Sequence, residues 1–67
     1  MRYAIVVRGA VDPRNVEGLA GLEVRMRDAR TELVGEIVDQ SQLVGILSRL
    51  SRAGIEVISA TPVGTPE

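Results

Sequence analysis

The chain has no cysteine, histidine, lysine, tryptophan or phenylalanine. Without cysteine or histidine there are no disulfides, thiol nucleophiles, imidazole bases or ordinary zinc sites. The serines Ser41, Ser48, Ser51 and Ser59 therefore lack a histidine partner, and no lysine stands in as a base. Tyr3 is the sole aromatic residue, so no platform exists for stacking bases or sugars. The absence of cysteine leaves the redox compartment open.

Other shortages narrow the partners. Net charge is −1, and all 8 cations are arginine. Their densest run is Arg25-Met26-Arg27, which falls short of the concentrated positive face that captures nucleic acid. The apolar opening Tyr3–Val7 is too short for a signal peptide or a membrane span. Neither nucleic acid nor membrane is an expected partner, and the expected compartment is the cytoplasm. Gly9-Ala10 makes no phosphate loop, and Gly18-Leu19-Ala20-Gly21 lacks the lysine and length of one.

What is present is a single small α+β domain. At 67 residues the chain lies near the lower size limit for folding without metal or disulfide support. We expect the domain to span 1–61, with 62–67 as a tail. Tyr3–Arg8 is a β-branched apolar run of the kind found in interior strands. Asp12-Pro13 joins an N-cap residue to a proline at the first helical position, which predicts a short helix or a loop from Pro13 to Ala20. Leu22–Arg27 alternates as a half-buried strand, and Thr31–Val38 returns after a turn. With Ala29-Arg30 at the tip, Arg27 faces Glu32 and Met26 faces Leu33. That pairing sets Leu22, Val24, Met26, Leu33 and Ile37 on one core face.

Glu36 to Val63 carries the strongest pattern. Asp39 caps a helix, and Gln42 three residues later completes a capping box. Leu43, Ile46, Leu47 and Leu50 form one apolar stripe. Gly54 then stops the helix, and Ile55–Ile58 opens a last strand. The order predicts a ferredoxin-like βαββαβ fold with strand order 4-1-3-2 and one sheet face covered by helix. If Pro13–Ala20 is a loop, the same chain reads βββαβ.

The segment GEIVDQSQLVGILSRLSRAGIEVISATPV resembles the C-terminal half of a group of short uncharacterised bacterial proteins. Asp39, Gln40, Leu43, Gly45, Leu47, Arg49, Leu50, Gly54 and Ser59 match the group's pattern, and Val44 stands where the group usually has histidine. The resemblance implies no activity. The same segment is similar to the opening strand–helix–strand of ACT regulatory domains through Leu43, Ile46, Leu50, Gly54, Ile55, Glu56 and Val57. It has Ser41-Gln42 where those domains carry a ligand-binding proline–glycine loop. That similarity implies shared architecture and, as an alternative function, sensing of an amino acid or anion.

Two candidate sites follow from this reading. Strands one and three are expected to run parallel, which would bring Arg8 and Asp12 beside Asp39, Gln40, Ser41 and Gln42. Two helix starts at one edge would suit an anion or an amino-acid carboxylate. Capping alone also accounts for both aspartates. An Asp12–Asp39 carboxylate pair is too thin for a metal or for acid–base catalysis, so no metal, cofactor or enzymatic activity is expected.

The second candidate is the uncovered sheet face. Alternation places Ala4, Val6, Val34, Val38, Ile58 and Ala60 there as an apolar stripe, with Arg25, Arg27 and several glutamates around it. Monomers seldom expose such a stripe. The expected function is thus a non-enzymatic interaction module, homodimeric through this face, with another protein as the alternative occupant.

Overall fold

The computed structural model describes residues 1–12 and 21–64. The expected helix at Pro13–Ala20 lies outside the described residues. The elements are strands β1 (Arg2–Arg8), β2 (Glu23–Arg27) and β3 (Arg30–Glu36), helix α1 (Gln40–Arg52) and strand β4 (Val57–Pro62). The strands form one antiparallel sheet in the order β2-β3-β1-β4, which is 4-1-3-2 read from the opposite edge.

Helix α1 forms where its capping chemistry places it. The Asp39 side chain accepts from the Gln42 amide at 2.9 Å. Gln42 Oε1 in turn accepts from the Val38 amide at 2.6 Å, one residue earlier than an ordinary capping box. At the other end Ile55 N–H donates to Leu50 O at 2.9 Å and Gly54 N–H to Ser51 O at 3.0 Å. This is a Schellman motif, and it requires the positive φ of 77° at Gly54.

The core lies between α1 and one face of the sheet. Ile5, Val7, Leu33, Ile37, Ile46 and Leu50 are almost wholly buried there, and Leu43, Leu47, Leu22, Val24 and Val57 pack around them. Each buried Val, Leu or Ile contributes roughly 1.5–3 kcal/mol. Gly35 lies on the same face, directly beneath Leu22. A Cβ at Gly35 would overlap the Leu22 side chain, which accounts for a glycine inside β3.

Four expectations need correction. The hairpin tip is Asp28-Ala29, so Arg27 pairs with Arg30, Arg25 with Glu32 and Val24 with Leu33. Both tip residues have positive φ, 51° and 62°, as in a tight two-residue hairpin turn. The shift is by two residues, so each side chain keeps its face. Met26 nevertheless stays 66% exposed, since its position is next to the tip and away from the cluster around Leu33.

Second, β3 ends at Glu36, which leaves Val38 beyond the sheet and 81% exposed. Third, Thr61 and Pro62 belong to β4, and Val63 N–H donates to Arg2 O at 2.8 Å. Fourth, an irregularity between Val6 and Val7 changes the pairing with β4. Val7 pairs with Val57, whereas Ile5 pairs with Ala60. The irregularity turns Ala60 inward, where it packs against the core.

Candidate functional site

Antiparallel pairing of β1 with β3 overturns the parallel arrangement on which the first candidate site rested. Arg8 lies opposite Arg30, at the start of β3, while Asp39 follows the end of β3, where Glu36 lies opposite Arg2. A strand of this length separates the two ends by about 20 Å. Arg8 and Asp12 are therefore at one end of the sheet, and Asp39, Gln40, Ser41 and Gln42 at the other. The last four are exposed, and Asp39 and Gln42 are engaged in the cap. Among the described residues no group of three or more acidic side chains is placed to hold a metal ion.

Among the described residues no helix packs on the second face of the sheet, and the composition of that face differs from the expected stripe. Strand pairing arranges it as a grid. One row runs Arg8, Arg30, Arg27; the next runs Ser59, Val6, Glu32, Arg25. Then come Thr61, Ala4, Val34, Glu23, and finally Arg2 and Glu36. The apolar centre is thus Ala4, Val6 and Val34. Val34 is already only 7% exposed among its neighbours, while Ala4 and Val6 are half-buried. Ile58 lies at the irregularity in β4 with 37% exposure. Val38 and Ala60 do not belong to this surface.

Charge surrounds that centre. Glu23 lies 3.6 Å from both Arg2 and Arg25. Arg8 Nε donates to Glu56 Oε1 at 3.0 Å. At the far corner the Met1 ammonium group donates to Glu36. That hydrogen bond, then the charge of the ammonium group and more weakly that of Arg2, hold the Glu36 carboxyl below its ordinary pKa against a small desolvation effect. Arg27 and Arg30 make no ion pair among the described residues. A groove of about 490 Å³ opens beside them, lined by Val6, Arg25, Arg27, Asp28, Arg30 and Glu32.

Two residues important to this end of the molecule escape a reading of the sequence. Arg30 was assigned to the turn, because Asp-Ala is not the usual Asp-Gly or Asn-Gly pair of a two-residue hairpin loop. Once the loop is Asp28-Ala29, the arginines flanking it must oppose each other. Thr31 is the other. It is the one buried polar residue among the described residues, and its hydroxyl donates to Gly9 O at 2.6 Å and accepts from Val11 N–H at 3.2 Å. A threonine within a strand gives no signal of that role.

The chain belongs to the family described as Domain of unknown function (DUF8691), whose model matches residues 2–61. Neither the curated proteins nor the solved structures contain a match to it. Its described part contains no helix long and apolar enough to cross a membrane.

Proposed function

We propose that this domain is a non-enzymatic interaction module of ferredoxin-like architecture that pairs with a second copy of itself through the open face of the sheet. The observation that carries the reading is the cross-strand grid, which borders Ala4, Val6 and Val34 with arginines and glutamates on three sides and with Ser59 and Thr61 on the fourth. Apolar centres with polar rims are the usual anatomy of protein interfaces.

The grid also supports a particular symmetry. A two-fold axis running across the strands, between the Val6 and Ala4 rows, stacks Val6 of one copy on Ala4 of the other. It sets Arg30 against Glu36 and Arg25 against Glu23. It also sets Arg8 against Arg2, but a two-fold axis along the strands, between β1 and β3, sets Arg8 against Arg30 and leaves Arg2 against Glu36 as its one opposite-charge pairing. Like-charge contacts of that kind oppose association. The across-strand pairing is thus the arrangement the charges favour.

Molar mass by light scattering across a hundred-fold dilution tests this. The expected result is a dimer that dissociates on dilution, and a Val6→Glu variant that is monomeric throughout. Arg30→Glu and Glu36→Arg should each weaken association, and the double variant should restore it. A monomer at every concentration, or a Val6→Glu dimer as firm as the parent, sinks the proposal.

A further inference from the structure

At the hairpin end of the open face, Arg8, Arg30 and Arg27 occupy directly opposed positions on three neighbouring strands. Opposed like charges weaken a sheet. Glu56 partners Arg8 at 3.0 Å, whereas Arg27 and Arg30 have no carboxylate partner among the described residues. The turn that holds those two in register is itself strained, because Asp28 and Ala29 both adopt positive φ without being glycine. Repulsion and strain therefore converge beside the 490 Å³ groove lined by Arg25, Arg27 and Arg30. That volume falls in the range of small-molecule sites.

We propose that this groove binds the diphosphate group of a small phosphorylated molecule through Arg25, Arg27 and Arg30. The guanidinium fork matches pairs of phosphate oxygens, and a compact diphosphate spans neighbouring arginines at once. Asp28 and Glu32, also in the lining, oppose any anion, which leaves the advantage to a ligand that engages two guanidinium groups together. Tyr3 lies on the helix-covered face with Ile5, so no aromatic side chain stacks on a base or a sugar here and recognition centres on the anionic group. The second copy proposed above would occupy the same surface, setting its Glu36 against Arg30 and its Glu23 against Arg25, so the groove takes a diphosphate in the unpaired chain.

Calorimetric titration of the full chain at constant ionic strength tests the proposal, with inorganic diphosphate, ADP, orthophosphate and citrate as probes. Diphosphate and ADP should bind saturably, one per chain and with equal affinity, and the other two at least about tenfold more weakly. An Arg27→Gln/Arg30→Gln variant should lose about tenfold or more in diphosphate affinity, while Arg52→Gln on α1 loses none. Light scattering on the same samples reads self-association separately. Equal binding of citrate and diphosphate, an equal loss in Arg52→Gln, tighter binding of ADP than diphosphate, or no saturable binding would each overturn it.

Discussion

The hydroxyl of Thr31, buried at the start of β3, donates to the carbonyl oxygen of Gly9 at 2.6 Å and ties the exit of β1 to the hairpin. The Thr31 hydroxyl oxygen accepts from the Val11 amide at 3.2 Å, and Gly9 N–H donates to Ala29 O at 2.7 Å. One side chain and one glycine thereby join the turn, the central strand and the segment that leaves it. Gly9 takes part with φ of 87°, a conformation that an L side chain seldom adopts.

Thr31→Val keeps the shape of the side chain and removes both hydrogen bonds. Gly9 O and Val11 N–H are left without their partner, which should lower stability by about 1–3 kcal/mol. Urea denaturation of the two proteins measures it. A change of only a few tenths would mean that solvent reaches these groups and that the tie is not structural.

Ala29→Gly should have the opposite sign. Ala29 has φ of 62°, where its Cβ crowds the following carbonyl oxygen, and glycine does not. Part of that relief is offset by the greater freedom of glycine in the unfolded chain, leaving a gain of about 0.5–1 kcal/mol. A thermal melt at matched concentration reads it, and a lower midpoint would contradict the left-handed turn.

Gly45→Ala should stabilise α1. Gly45 lies in the helix interior, and an added Cβ would meet only the Arg49 guanidinium, at 3.4 Å. The long arginine side chain can swing away, so the helix-propensity gain of about 1 kcal/mol should be realised nearly in full. Destabilisation in the same melt would show that close packing constrains this glycine.

The acid limb of stability should depend on Glu36. Its carboxyl lies below the ordinary pKa chiefly because the Met1 ammonium group hydrogen-bonds to it. Between its folded and unfolded pKa values the unfolded chain binds more protons, so stability rises with pH in that window. The contribution is present above the unfolded value and is lost as pH falls through the folded one. Glu36→Gln should flatten the slope on the acid side of the ordinary carboxylate range and leave it unchanged near neutrality. The pair is exposed, so the effect should be small and fade with salt.

Much of the fold was legible from local patterns. The stripe Leu43, Ile46, Leu47 and Leu50 with the Asp39 cap and the Gly54 stop specifies α1, since periodicity and capping chemistry act within one turn of helix. Alternation in β1 and β2 assigned faces correctly, and a two-residue error in the hairpin preserved them. Alternation failed at Ala60, because an irregularity in β4 turns a side chain over without any mark in its own residues. It also overcounted the open apolar face, as nothing local says that β3 stops before Val38.

By itself the sequence determined the helix, the core side of each central strand and the exclusion of cysteine, histidine and zinc chemistry, all properties of neighbouring residues or of composition. Only the tertiary structure decided which ends of the strands meet. Antiparallel pairing moved Arg8 away from Asp39 and set it in line with Arg30 and Arg27. Such cross-strand alignments join residues far apart in the chain, 22 positions between Arg8 and Arg30, and depend on turn geometry and strand direction. Those are fixed by the packing of the whole sheet against α1, where no local pattern of residues records them.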